Sequence, residues 1–238
     1  MALVTGGARK LGASLCRHLA GSGYAVVIDY RRSGAQAQRL MERIAAQGGR
    51  AVAVRADVTR VSDVRRLVGL VERTFGRLDV LVNNVGDYLE KPLASVTVAE
   101  WRAVLGSNLD SVFLCTRAAL PLMRRAGGGR VINIGYAPVG KTVSSVRCPV
   151  YHVAKMGVLS LTKVFAAEEA PHGITVNMIS PGTIFNSVKK PSRVAADYIP
   201  AGRFCRYRDI QGVLDYLLSE RASYVTGGHF VVSGGYAI

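Results

Sequence analysis

Short, uniformly apolar runs alternate along this chain with longer segments whose apolar residues recur every three to four positions. The runs at 2–5, 24–28, 51–54, 78–82, 130–134 and 174–179 read as strands buried on both faces. The segments at 11–20, 36–46, 61–75, 97–123 and 151–170 carry the helical period, and Gly21, Gly23, Gly48 and Gly49 stop the first two. Strands of this kind alternating with amphipathic helices predict an α/β fold. It is a single doubly wound domain over 1–238, with a parallel sheet of about seven strands and helices on both faces. No linker, low-complexity segment or repeat of solenoid length interrupts the alternation.

Composition adds limits. The hydrophobic fraction, 49%, supplies an ample core. No apolar run approaches the roughly 18 residues of a membrane span, and Met1 leads straight into Ala2-Leu3-Val4 without a secretory pattern. A cytoplasmic protein with no membrane partner is expected. Cys16, Cys115, Cys148 and Cys205 are far apart, which points to thiols in a reducing compartment and to no metal. Thirty-one Lys and Arg against sixteen Asp and Glu give +15, which suits an acidic protein partner or a phosphorylated ligand as well as a solvated basic surface. The arginines are scattered and aromatics are 7%, so no nucleic acid is expected.

In a doubly wound sheet the ligand lies across the carboxyl ends of the strands. The first strand runs into Thr5-Gly6-Gly7-Ala8-Arg9-Lys10-Leu11-Gly12, directly before a helix. Such a turn brings backbone N–H groups close to a phosphate. Asp29-Tyr30-Arg31-Arg32-Ser33 follows the second strand. Asp29 there would grip the ribose hydroxyls of NAD, whereas the arginines, Ser33 and Lys10 favour the 2′-phosphate of NADPH (NADP+). NADPH is the expected cofactor. Tyr151 and Lys155 are four apart at the start of a helical segment, so the ammonium is expected to lower the phenol's pKa and make it a proton donor.

Together these residues resemble the short-chain dehydrogenase/reductase family, over essentially the whole chain. The family's Thr-Gly-x-x-x-Gly-x-Gly is matched at Thr5, Gly6 and Gly12, its adenine-contacting turn at Ala56-Asp57-Val58, and its Asn-Asn-Ala-Gly at Asn83-Asn84-Val85-Gly86. Asn108 matches the helix asparagine, Tyr151 and Lys155 the Tyr-x-x-x-Lys pair, Ser180-Pro181-Gly182 the loop beside the nicotinamide. The resemblance implies a Rossmann fold and catalysis by Tyr151, Lys155 and Asn108. It implies cofactor contacts from Gly6, Arg9, Lys10, Leu11, Gly12, Tyr30, Arg31, Arg32, Ser33, Asp57, Val58, Asn84, Gly86, Tyr151, Lys155, Pro181, Gly182 and Ile184. In family register the NAD-selecting acidic position falls on Tyr30, and Lys10 replaces the turn's middle glycine. Both features are similar to pteridine reductases and also occur in 3-oxoacyl-carrier-protein reductase relatives.

One departure concerns the serine that the family places after the fifth strand, where this chain has Tyr136. Ser144 or Ser145 in the following loop, Tyr136 itself, or a partial loss of activity are the three readings. Lys189, Lys190 and Arg193 lie in an expected substrate loop at about 184–200, with Lys141 and Arg147 nearby. These cations suit a carrier-protein-bound acyl group. The expected activity is NADPH-dependent reduction of a small-molecule or carrier-bound carbonyl, first a 3-oxoacyl thioester. A pterin, another small carbonyl or a quinone is the alternative, and an NADPH-binding regulator or scaffold is the alternative of another class. The resemblance also implies a homotetramer.

Overall fold

The computed structural model describes residues 1–140, 147–186 and 197–236. Its strands are β1 Ala2–Val4, β2 Val26–Tyr30, β3 Ala51–Arg55, β4 Val80–Asn83, β5 Gly129–Ile134, β6 Ile174–Pro181 and β7 His229–Val232. They form one sheet in the order β3-β2-β1-β4-β5-β6-β7, and every pairing is parallel. Chain order reverses between β1 and β4, so a crevice opens at their carboxyl ends.

The helices are α1 Lys10–Gly21, α2 Gly34–Ala46, α3 Val61–Phe75, α4 Val98–Leu105, α5 Ser111–Arg125, α6 Pro149–Glu169 and α7 Tyr207–Leu218. One face of the sheet packs on Leu15 and Leu19 of α1, Leu40 and Ile44 of α2, and Ile210 and Leu214 of α7. The other takes Leu67 and Val71 of α3, Ala119 and Met123 of α5, and Phe165 of α6. Leu15, Leu19 and Leu67 are fully buried, each contributing about 1.5–3 kcal/mol of apolar transfer.

The segment expected as one helix over 97–123 is interrupted. Thr97 caps α4 through Glu100 in a reciprocal box. A π-helical stretch, Gly106–Asp110, then separates α4 from α5. The cause is local: Asn108 Nδ2 donates to the Val104 carbonyl at 3.0 Å and Ser111 Oγ to the Ser107 carbonyl at 2.6 Å, so side chains compete for the ladder's acceptors. The wider turn rotates Asn108 inward, where it is fully buried.

A buried polar ladder fixes the helices on the sheet. Asn83 of β4 donates to Thr116 of α5 at 3.0 Å and to Asn133 of β5 at 2.8 Å. Asn133 donates in turn to Thr162 of α6 at 2.9 Å. Such paired groups cost little to bury and would be costly to break singly.

Candidate active site

The turn after β1 is held by the end of β4. Asn84 N–H donates to Thr5 Oγ1 at 2.9 Å, and Asn84 Nδ2 to the carbonyls of Thr5 at 3.0 Å and Gly6 at 3.3 Å. Gly12 is required by contact: a Cβ there would lie 2.4 Å from the Gly6 carbonyl oxygen. Lys10, where the family has its middle glycine, keeps the left-handed conformation at φ +47°. That costs of order 1–2 kcal/mol for a residue with a Cβ. Arg9 gives α1 no side-chain cap and its first turn carries no acid, which leaves its N–H groups to a phosphate.

Asp29 has a different role from the ribose grip considered above. Its Oδ2 accepts the Gly6 N–H at 3.1 Å and its backbone carbonyl accepts the Gly7 N–H at 2.8 Å. The carboxyl is buried, Oδ1 has no hydrogen-bond partner among the described residues, and burial pushes its pKa up to about 7. The side chain alternates inward from the strand while Tyr30, Arg31, Arg32 and Ser33 continue into the loop. Arg31 sits 3.6 Å from Asp57 Oδ2, so the segments that follow β2 and β3 meet there. Val58 is buried in the core beside it.

At the other half of the crevice α6 begins at Pro149, and Tyr151 and Lys155 share a face. Lys155 is buried and its Nζ donates to the Ile134 carbonyl at 2.8 Å. Burial lowers its pKa to about 8. Asn108 Nδ2 donates to the Asp87 carbonyl at 2.9 Å, and its Oδ1 is a buried acceptor without a partner among the described residues. Gly86 makes the meeting possible: a Cβ there would lie 2.2 Å from Asn108 Oδ1 and 3.4 Å from Lys155 Nζ. Asn108 and Lys155 thus meet beside Gly86, and the Lys155 ammonium lies 5.5 Å from the Tyr151 ring centroid.

The direction of the Tyr151 shift is a correction. Burial raises its pKa, with the Cys148 thiol and the Tyr88 phenol adding to the rise. The Lys155 ammonium lies 5.5 Å from the Tyr151 ring centroid and is directed to the Ile134 carbonyl, so it does not offset the loss of solvent. In this state Tyr151 is a proton-bearing phenol.

Two aromatic rings flank Tyr151 edge-on. Tyr136 lies 5.4 Å away at 69°, and Tyr88 lies 5.2 Å away at 72°. The Cys148 thiol donates to the Tyr136 hydroxyl at 3.7 Å. Tyr88 and Cys148 were not among the expected site residues; their signals were adjacency to Gly86 and to Pro149. Arg147 is engaged by Glu90 at 2.7 Å, and its carbonyl accepts the Lys91 N–H at 3.1 Å, tying the two sides of the mouth. Lys141, Ser144 and Ser145, and Lys189, Lys190 and Arg193 of the substrate loop, lie outside the described residues.

Pro181 ends β6. Gly182 N–H donates to the Val232 carbonyl at 2.9 Å, and Ile184 bridges to Cys205. Among the described residues no group of three His, Cys, Asp or Glu is placed to hold a metal, and no helix is long and apolar enough to cross a membrane.

A parallel sheet with a glycine turn at the switch point and a Tyr–Lys–Asn cluster across the crevice defines a dinucleotide-dependent oxidoreductase. Residues 6–237 match the family model described as Enoyl-(Acyl carrier protein) reductase. The chain is 36% identical over 238 residues to a 3-oxoacyl-[acyl-carrier-protein] reductase of Synechocystis sp., covering 99% of this chain and 96% of that one. It is likewise 36% identical to a 3-oxoacyl-[acyl-carrier-protein] reductase of Staphylococcus aureus, with 98% and 96% covered. Among solved structures, acetoin dehydrogenase from Salmonella typhimurium superposes at TM-score 0.90 with 30% identity, covering 99% and 95%. A short-chain dehydrogenase/reductase variant from Serratia marcescens superposes at 0.93 with 29% identity, covering 100% and 97%. The chain belongs to the short-chain dehydrogenase/reductase family.

Its residues fit a nicotinamide dinucleotide. The uncapped start of α1 and the tight approach at Gly12 suit the phosphates, and the buried Asn108 Oδ1 acceptor and Lys155 ammonium would suit the nicotinamide ribose.

Proposed function

We propose that the protein is an NADPH-dependent carbonyl reductase whose first substrate class is a 3-oxoacyl thioester. The observation that carries it is the convergence of Tyr151, Lys155 and Asn108 beside Ile134 and Gly86, across the crevice from the glycine turn. When bound, the dinucleotide supplies the hydride for the carbonyl carbon. Tyr151 holds the proton that passes to the carbonyl oxygen, and its raised pKa keeps that proton in place until charge develops there. Lys155, with Asn108 behind it, holds the nicotinamide ribose and its charge assists the departing proton. The thioester class is supported by the two reductases 36% identical over the full chain.

Lys10, Tyr30, Arg31, Arg32 and Ser33 support NADPH over NADH, since three cations and no ribose-gripping acid border the adenosine corner. Arg31→Ala should weaken NADPH binding by about tenfold or more, from the ~1.5–3 kcal/mol of a charged hydrogen bond, and leave NADH binding unchanged. Fluorescence titration with each cofactor measures this; equal loss for both removes the phosphate role.

NADPH oxidation screened over acetoacetyl thioesters, dihydropterins and quinones tests the substrate. The rings of Tyr88 and Tyr136 beside Tyr151 favour a small planar carbonyl as the second reading. NADPH binding without turnover of any of them would favour a regulatory role. Tyr136 stands where the family has its serine, and we assign its hydroxyl, which accepts the Cys148 thiol at 3.7 Å, to the substrate oxygen. Tyr136→Phe should then lower kcat/KM about tenfold, the value of one hydrogen bond of ~1.4 kcal/mol, while Ser144→Ala and Ser145→Ala leave it unchanged. The reverse pattern assigns the hydroxyl to a serine. A homotetramer is also proposed; exposed Phe113, Val153, Met156 and Val164 on α5 and α6 support it, and light scattering measures it.

A further inference from the structure

We infer that Asp29 takes up a proton when a 2′-phosphorylated dinucleotide binds, so that its carboxyl forms a neutral floor beneath the adenosine corner. The inference rests on the NADPH reading above and goes beyond it by assigning a proton to the binding step.

The geometry isolates this carboxyl. It is 1% exposed, Oδ2 is committed to the Gly6 N–H at 3.1 Å, and Oδ1 has no partner among the described residues. The groups around it offer little compensation for charge. From the turn come the N–H groups of Gly6 and Gly7, the latter to the backbone carbonyl. From α1 comes Cys16, a buried thiol with Arg17 beyond it, and from α5 comes the buried Cys115. From the end of β3 and the start of α3 come Asp57 and Asp63, two further carboxylates, while the nearby Ala56 N–H is given to the Tyr30 carbonyl at 2.9 Å. Arg31 is paired with Asp57 at 3.6 Å and Arg66 with Asp63 at 3.3 Å, and Arg60 lies near both carboxylates, so these cations are already engaged by other acids. Burial already brings Asp29 close to neutrality of pH, at about 7.

A bound 2′-phosphate changes the balance in one direction. It adds negative charge at the loop of Arg31 and Arg32, two residues on from the buried Asp29, and competes with Asp57 for Arg31, which weakens the screening of that carboxylate. Like charges sharing a site drive one of them to protonate, and the least solvated carboxyl yields first. Protonated Asp29 still accepts the Gly6 N–H through one oxygen and presents an O–H at the other, which replaces an unpartnered acceptor by a donor. A phosphate clamped by arginines shifts the opposite way and releases its own proton. The sign of proton exchange therefore separates the two groups.

Calorimetric titration of the whole protein at about pH 8, in buffers of different ionisation enthalpy, measures it. Wild type should take up a substantial fraction of a proton with NADPH and clearly less with NADH. Its NADPH Kd should rise by up to about tenfold per pH unit above about 7, by linkage. Asp29→Asn should abolish the uptake and flatten that dependence, with circular dichroism reporting its fold. If the variant does not fold, the wild-type sign alone decides. Proton release by wild type with NADPH, or uptake that survives Asp29→Asn, overturns the inference and leaves the cofactor reading intact. Binding of NADH without binding of NADPH overturns the cofactor reading and this inference with it.

Discussion

Tyr151→Phe should lower kcat for carbonyl reduction by about 10²–10⁴-fold, the loss typical of a missing general acid. The substitution removes one oxygen and little else. The ring stays wedged between Tyr88 and Tyr136, whose edges contact it from two sides, and Lys155 keeps its bond to the Ile134 carbonyl. NADPH affinity should change less than about threefold, well under the ~1.4 kcal/mol of a tenfold change, because the phosphate turn lies across the crevice. The same cluster sets a pH limit. Lys155 has its pKa lowered to about 8, so it is charged below that value and loses its charge as pH rises through it. Tyr151 is shifted upward and stays protonated over that range. Wild-type kcat/KM, which reports the free enzyme, should therefore fall as pH rises through about 8. A rate that climbs through this range would mean that the ionised phenol, not the ammonium, governs the step.

The second large effect is expected at Gly12. Alanine there places a methyl 2.4 Å from the Gly6 carbonyl and 2.8 Å from Asn84 Nδ2, and a backbone carbonyl has nowhere to retreat. Relief requires the turn to open or Asn84 to leave it, breaking the bonds of Asn84 to Thr5 and Gly6. Overpacking of this kind costs about 1–3 kcal/mol. Because the shifted atoms form the phosphate turn, the cost falls on cofactor binding as well as on folding. Gly12→Ala should lower thermal stability by several degrees and weaken NADPH binding about 10- to 100-fold, measured by thermal melt and fluorescence titration. Gly21, with no atom within 4 Å of a would-be Cβ, supplies the control: Gly21→Ala should leave binding unchanged.

Much of this architecture was legible because its causes are local. Uniformly apolar strands and 3.6-period helices declare the doubly wound sheet, and the turn and the Tyr–Lys spacing sit where that sheet puts ligands. β7 had no such signature: its His229 and half-exposed neighbours do not form an apolar run, and pairing with β6 makes it a strand. The break at Gly106–Asp110 depends on where Asn108 and Ser111 point, which follows from packing and not from propensity. Family register moves the ribose position from Asp29 to Tyr30 and leaves Asp29 without a role. Only strand alternation and the neighbouring Gly6 N–H reveal that it braces the turn. The upward Tyr151 shift is hidden from the sequence for a related reason. Helical spacing brings the ammonium near the ring, but the amount of solvent removed from the phenol, and the pull of the Ile134 carbonyl on Lys155, are tertiary facts. Tyr88 likewise joins the site through the Glu90–Arg147 tie between segments distant in sequence.

In the proposed reaction Tyr151 delivers the proton in an NADPH-dependent carbonyl reduction. Single-turnover oxidation of saturating NADPH by an acetoacetyl thioester, followed by loss of NADPH fluorescence in wild type and Tyr151→Phe, tests it most directly. Wild type should oxidise NADPH rapidly, and the variant should lose about 10²-fold or more at equal cofactor occupancy. Equal rates in the two proteins would contradict it.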